Sequence, residues 1–111
     1  VSKPLKANVF SLMDAFTKSL NAFAGSHEIH MQGDSLGICP DNPDEGVFLL
    51  SKGKMVAVAE VQKSDAQIID CRFNDPPPPG KYDLIVRCRN GADPSFAPAE
   101  TTLRGIVVKG E

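Results

Sequence analysis

The segment 76–90 constrains the fold of this chain more than any other, because four consecutive prolines lead directly into a strictly alternating strand. One face of this strand carries Tyr82, Leu84, Val86 and Cys88, and the other carries Lys81, Asp83, Ile85, Arg87 and Arg89. One apolar face and one mostly charged face predict a half-buried strand of a two-layer antiparallel sandwich. Prolines lack the backbone donor that a central ladder needs, so they predict a rigid turn before the strand. The segment therefore predicts a fold, but no chemistry.

Length, composition and charge narrow the class of protein. The 111 residues fit one domain with a single core, so residues 1–111 are treated as one domain. A hydrophobic content of 41% is typical of a soluble globular protein, and no apolar run approaches the ~20 residues of a membrane span. The formal charge of -2 offers no global attraction for phosphate backbones. Because the chain begins with Val rather than Met, we expect it to be part of a longer protein.

The three cysteines predict free thiols rather than a disulfide framework, because their number is odd and their spacing is wide. Cys88 closes the apolar face of its strand, and Cys71 lies in register with Ile69 and Phe73, so both are predicted to be buried. A bridge between Cys71 and Cys88 across the sandwich is the alternative. Free thiols, Cys39 included, favour a reducing compartment.

From Ser26 onward, short extended runs alternate with turn residues, which is typical of an all-β domain. The predicted strands are 27–32, 35–39, 47–51, 54–62, 66–73, 80–90 and 101–109. Gly33-Asp34 is predicted to turn the chain between the first two runs. Lys52-Gly53 is predicted to form a tight hairpin turn.

The first 24 residues fit two interpretations. Apolar side chains recur at steps of three and four residues, as on one face of a helix, at Val9, Leu12, Met13, Phe16 and Leu20. Alternatively, residues 7–13 form a strand that completes the two sheets, with Val9, Ser11 and Met13 on one side. Local pattern alone leaves both open.

Four segments together resemble a known family. They are Val-Phe-Ser-Leu-Met-Asp at 9–14 with Asn21 following, Gly-Asp-Ser-Leu-Gly-Ile at 33–38, Asp-Glu-Gly-Val-Phe-Leu at 44–49, and Pro-Gly-Lys-Tyr-Asp-Leu-Ile-Val-Arg at 79–87. In their order and spacing they resemble a bacterial domain family of unknown function with an immunoglobulin-like fold. Its members typically sit C-terminal to an HU-like (histone-like) DNA-binding domain. The resemblance covers nearly the whole chain, through turn placement and apolar positions, and includes no catalytic motif.

The resemblance implies a specific fold and role. The fold is an immunoglobulin-like β-sandwich of seven or eight mostly antiparallel strands, with 7–13 as the first strand. The predicted core comprises Tyr82, Leu84, Val86, Ile29, Leu36, Ile38 and Val107. The implied function is a non-enzymatic accessory or protein-interaction domain of an HU-like DNA-binding protein in the cytoplasm, associated with the nucleoid, whose N-terminal domain contacts DNA. The alternative is a cell-surface or adhesion-type immunoglobulin-like binding module unrelated to DNA.

The residues that could carry chemistry form no recognisable site. His27 and His30 lie three apart on an extended strand and so point to opposite faces, which excludes a shared metal without distortion. Asp41, Asp44 and Glu45 suggest a calcium loop, but the alternating oxygen ligands of an EF-hand are missing. The scattered glycines form no phosphate-binding loop, and no nucleophile motif is present. We therefore expect no enzyme activity, catalytic residue, metal, cofactor, small-molecule substrate or membrane contact.

One surface feature remains as a candidate for partner binding, the outward side of the 80–90 strand. Its candidate residues are Lys81, Ile85, Arg87 and Arg89. A basic stripe with one apolar residue can dock an acidic partner or a phosphate backbone. We expect a protein partner or self-association here, with DNA reached only through the parent protein. The alternative is an ordinary solvated face, or an edge strand protected by its charges.

Overall fold

Nine strands form the regular structure of residues 7–39, 41–93 and 95–110, the part of the chain described by a computed structural model. They are β1 (Asn8–Asp14), β2 (Ala22–Ala24), β3 (Ile29–Asp34), β4 (Gly46–Ser51), β5 (Lys54–Val58), β6 (Glu60–Ser64), β7 (Ile68–Arg72), β8 (Gly80–Cys88) and β9 (Ala99–Lys109). One sheet has the order β1-β3-β7-β6 and the other β2-β9-β8-β4-β5. All their strand pairings are antiparallel except that of β2 with β9. The predicted all-β sandwich is confirmed, with nine described strands instead of seven or eight. Its immunoglobulin-like strand order stays a prediction.

The core lies between the two sheets and contains most of the residues predicted for it. Those that pack there are Ile29, Leu36, Leu84 and Val86, which are fully buried, and Tyr82 and Ile38, which are partly buried. The prediction for Val107 is wrong, because β9 turns Ile106 and Val108 toward the core and leaves Val107 on its other side. No described segment forms a helix long and apolar enough to cross a membrane.

The N-terminal segment is a strand, β1, which pairs with β3. A β-bulge after Val9 inserts Phe10 as an extra residue, so the next inward position is Leu12. That step of three residues imitates a helical stripe in the sequence. Phe16 and Leu20, which continue the apparent stripe, lie beyond the strand and are exposed. The first strand implied by the family resemblance is therefore confirmed.

Gly33 lies opposite this bulge, within β3, and does not form the predicted turn. The chain leaves the strand at Ser35, whose φ is +58°, and 35–39 forms a loop, so the strand predicted there is also wrong. A Cβ at Gly33 would overlap the carbonyl oxygen of Asn8. The glycine therefore serves a close approach of two backbones and not a turn.

The predicted strand 54–62 is two strands in two different sheets. Lys52 and Gly53 form the predicted hairpin turn, with φ values of +53° and +80°. β5 then ends at Val58, and β6 begins in the opposite sheet after Ala59. Ala59 is buried at this crossing, where a small side chain fits between the sheets. Because both halves of the run are extended and rich in valine, the sequence pattern gives no sign of the change of sheet.

The proline run connects the two sheets, leading from β7 to β8 outside any strand. Pro77 is buried, and the Tyr82 hydroxyl donates a hydrogen bond of 2.6 Å to the carbonyl oxygen of Pro78. The prolines therefore lie outside the ladder, as predicted, and Tyr82, the first inward residue of β8, is attached to them. The rigidity of this connection stays a prediction.

The three cysteines are free. Cys71 on β7 and Cys88 on β8 are buried in opposite sheets, whereas Cys39 is exposed. The prediction of buried free thiols is confirmed, and the alternative of a bridge is wrong. Burial raises the pKa of Cys88 to about 11 and raises that of Cys71 further, so both are held as thiols.

Candidate interaction surface

Three of the four predicted partner-binding residues lie on the outer side of β8. Since Leu84 and Val86 face the core, the alternation of the strand turns Lys81, Ile85 and Arg87 away from it. β8 is paired on both sides, with β4 and β9. The interpretation of these charges as protection of an edge strand is therefore wrong, and the surface belongs to the middle of a sheet.

The register extends this surface into an apolar area across β8, β4 and β5. Ile85 pairs with Phe48, and Phe48 pairs with Val58, so the three side chains form one row. Leu50 and Met55 pair in the next row. We call these five residues the outer apolar patch. Its inner members Phe48 and Ile85 are 6% and 9% exposed, whereas Val58 and Met55 near the sheet edge are 56% and 53% exposed. Contiguous apolar patches with exposed side chains are a feature of interaction sites.

Arg87 closes one end of the outer apolar patch. Its Nε donates a hydrogen bond of 2.9 Å to Glu100 on the neighbouring strand β9. Its guanidinium carbon lies 5.4 Å from the centre of the Phe48 ring. Arg87 thus covers part of the aromatic ring while its charge is compensated by a carboxylate. It therefore contributes little free positive charge to the surface.

The other end of the patch opens into a groove of about 220 Å³. Its lining includes Leu50, Lys52, Lys81, Tyr82, Asp83 and Gly105. Among the described residues, the side-chain ammonium groups of Lys52 and Lys81 have no hydrogen-bond or ion-pair partner. The groove is smaller than the ~300 Å³ at which small-molecule sites begin. It can take one or two side chains of a partner, with two free ammonium groups at its border.

Arg89, the fourth predicted residue, lies beyond the end of β8, and the prediction that it faces solvent is wrong. Its side chain is 5% exposed, and its guanidinium donates two hydrogen bonds, of 2.7 and 2.6 Å, to the carboxylate of Asp44. It also donates to Glu45 and to the carbonyl oxygen of Phe96. Arg89 therefore ties the loop before β4 to the loop after β8. It is a structural residue, unavailable to a partner.

The same cluster accounts for the acidic loop that suggested calcium. Glu45 is buried and accepts hydrogen bonds from Asn42, from the backbone of Cys39 and from Arg89. Burial alone would raise the pKa of Glu45, but these hydrogen bonds lower it below its ordinary value. The hydrogen bonds from Arg89 are the main cause that lowers the pKa of Asp44. These carboxylates already have a cation, the guanidinium.

The two histidines do not share the strand predicted at 27–32, because β3 begins at Ile29 and His27 lies in the bend before it. His27 Nδ1 is 2.8 Å from Asp14, and His30 Nδ1 is 2.6 Å from Asp70. Both histidines are partly exposed. Across 7–39, 41–93 and 95–110, no three His, Cys, Asp or Glu side chains are grouped closely enough to hold a metal. Each histidine is instead paired with one carboxylate.

Sequence reasoning missed Asp14, a buried acid at the end of β1. It is 1% exposed and accepts hydrogen bonds from the backbone of Phe16, Thr17 and Ala24 and from His27. The two nearest donors follow Asp14 in the chain and fit a local Asx turn, which a sequence can suggest. The other two come from a different part of the fold, and only the tertiary structure brings them together.

Comparison with known proteins shows a likeness of fold. No protein-family model matches the chain, and no curated protein matches it either. A crystal structure of a "putative bacterial DNA binding protein" from Bacteroides vulgatus superposes with a TM-score of 0.78 at 20% sequence identity. The match covers 98% of this chain and 50% of that one. At this identity the likeness shows a shared fold, and the chain spans half the length of the neighbour.

Proposed function

We propose that this chain is a non-enzymatic, protein-binding accessory domain of a bacterial DNA-binding protein, with DNA contact made by an HU-like domain elsewhere in the parent. The observation that carries the proposal is the structural likeness to a putative DNA-binding protein of which this fold is only half. The other half of such a protein is free to hold the nucleic acid. In this proposal the parent works in the cytoplasm at the nucleoid.

The charges of the domain support a role other than direct DNA binding. The formal charge is -2, and two arginines expected on the outer face are compensated, Arg87 by Glu100 and Arg89 by Asp44 and Glu45. Non-specific DNA binding requires several free cations that replace counterions along the backbone. The outer apolar patch is better suited to another protein, because apolar side chains gain from burial against apolar ones.

The test is a DNA-binding titration of the isolated domain, which has its own core and so can be studied alone. We expect no duplex binding by fluorescence anisotropy at about 0.15 M salt. Salt-sensitive binding that Lys81→Ala and Arg87→Ala abolish would overturn the proposal. Arg89→Ala is unsuitable as a test, because the substitution leaves Glu45 buried without its cation.

The genomic sequence upstream of Val1 gives an independent test. We expect it to encode a basic HU-like domain in the same reading frame. A secretion signal directly upstream would contradict the proposal and would favour the cell-surface alternative.

A further inference from the structure

We propose that the outer apolar patch and the adjoining groove bind an acidic protein segment with interspersed aliphatic side chains. This inference rests on the proposed function and names the chemistry of the partner. The partner's aliphatic side chains would cover the outer apolar patch and enter the groove, and its carboxylates would pair with Lys52 and Lys81.

Charge complementarity identifies the partner as acidic. Lys52 and Lys81 border the groove with exposed, unpaired ammonium groups, against one carboxylate in the lining, that of Asp83. Arg104, also exposed and unpaired in the described structure, belongs to the β9 bulge that faces Asp83. The surface around the groove therefore carries an excess of positive charge on a protein whose formal charge is -2. Complementary charge raises association rates and selects among partners.

A second copy of this chain is a poorer occupant. A symmetric contact through the groove would bring the lysines of both copies together, and juxtaposed like charges oppose association. Pairing along the free edge of β5 is hindered as well, because the β4–β5 register shift leaves Val56 as an extra, unpaired residue. The side-chain face of the sheet is therefore a better docking surface than its edge.

Nucleic acid is also a poorer occupant than an acidic protein segment. Phosphate binding favours an extended track of cations, whereas here the lysines flank one small groove beside Asp83. The adjoining patch exposes Met55 and Val58, which gain from burial against aliphatic side chains but form no favourable contact with phosphates. An acidic, aliphatic segment satisfies both halves of the surface.

The experiment uses a short synthetic peptide in which Glu and Asp alternate with Leu and Ile, and a matched peptide with Lys at each acidic position. Binding to the ¹⁵N-labelled domain is followed by NMR. We expect the acidic peptide to shift backbone resonances of β4, β5 and β8, with an affinity that falls as salt rises. We expect the lysine peptide to bind at least about tenfold more weakly.

Two pairs of substitutions test the two parts of the surface. Lys52→Glu with Lys81→Glu should weaken the acidic peptide by about tenfold or more, whereas Lys18→Glu with Lys63→Glu, the same charge change on other exposed lysines, should change it by less than about twofold. Val58→Thr with Met55→Gln, at exposed positions that leave the core intact, should also weaken the peptide. Circular dichroism confirms that each variant is folded.

The outcomes separate this inference from the proposed function. Equal binding of both peptides, or shifts confined to the other sheet, would overturn the inference and leave the proposed function standing. Sedimentation that reveals a dimer dissociated by Val58→Thr with Met55→Gln would assign the surface to a second copy instead. Duplex DNA that competes with the peptide for Lys52 and Lys81 would overturn the inference and the proposed function together.

Discussion

Asp14→Asn is expected to destabilise the fold strongly although it changes only one atom. In the wild type, Oδ1 accepts hydrogen bonds from the backbone of Phe16 and Thr17, and Oδ2 accepts from the backbone of Ala24 and from His27 Nδ1. All four partners donate. Asparagine offers one oxygen and one amino group, so one pair of donors must face another donor.

The size of the stability loss in Asp14→Asn depends mainly on the backbone N–H of Ala24, which cannot change its direction. If the amide oxygen keeps Phe16 and Thr17, its amino group faces His27, whose ring can change tautomer, and the buried N–H of Ala24, which cannot turn away. A buried donor without an acceptor costs about 1–3 kcal/mol, and losing the carboxylate charge weakens the two remaining bonds by about another 1 kcal/mol. We expect a loss of about 3 kcal/mol at neutral pH, which lowers Tm by about 12 °C for a domain of this size.

Urea unfolding of Asp14→Asn and of Asp65→Asn at neutral pH tests this reasoning. Asp65 is a matched control, because it is exposed and uses Oδ1 alone to accept from the backbone of Gln67 and Ile68. An amide oxygen can replace that one acceptor, so the free energy of unfolding of Asp65→Asn should be close to that of the wild type. If both variants lose the same stability, the donor-against-donor explanation is refuted.

The pH dependence gives a second test with a definite sign. Burial alone would raise the pKa of Asp14, but hydrogen bonds from Ala24, Thr17, His27 and Phe16 outweigh it and hold the pKa well below its ordinary 3.8. The resulting stabilisation is fully present above the unfolded pKa and is lost as pH falls toward the folded one. Asparagine does not titrate, so the stability gap between wild type and Asp14→Asn should close by about 1.4 kcal/mol per pH unit below about pH 3.8. A gap that stays constant between pH 6 and about pH 2.5 would contradict the assignment.

Two further predictions concern the bulge and the thiols. Gly33→Ala should lower the free energy of unfolding in urea by about 3 kcal/mol, because its Cβ would overlap the Asn8 carbonyl. Gly53→Ala, at a left-handed turn with open space around it, should lower it by about 1 kcal/mol. Equal losses of stability in the two variants would exclude the overlap as the cause. Of the three cysteines, only Cys39 should react with Ellman's reagent in the native protein, and all three should react in urea; rapid native labelling of Cys71 or Cys88 would contradict their burial.

The sequence predicts the fold well where apolar and polar side chains alternate with a regular period. β8 begins at the predicted residue and ends two residues before the predicted end, because the period-2 alternation and the prolines before it are local features. β1 remained ambiguous for a physical reason, since the bulge at Phe10 replaces a step of two by a step of three. The prediction of a turn at Gly33 is wrong, because the close contact that requires glycine comes from Asn8 on another strand. Errors of this kind arise wherever a tertiary contact determines the role of a residue.

The charged residues of the candidate surface show the same limit. Arg87 and Arg89 follow the same alternation in the sequence, yet one lies on the surface and the other is buried. The difference comes from Asp44 and Glu45, which lie far away in sequence and whose carboxylates surround the Arg89 guanidinium beyond the end of β8. No local pattern distinguishes an arginine with such partners from one without them.

The position of the outer apolar patch is determined by sheet topology and cannot be predicted from composition. In the sequence, Met55 and Val58 belong to the valine-rich run 54–62, which predicts one extended strand. β5 is an edge strand, however, and its pairing with β4 turns both side chains to the outer side, beside Phe48 and Leu50. A domain that needed only a stable core would gain nothing from apolar residues at that position, since their exposed area is not removed from water. A partner that buries them would lie on the same face as Lys52 and Lys81, which is why the segment proposed above is both aliphatic and acidic.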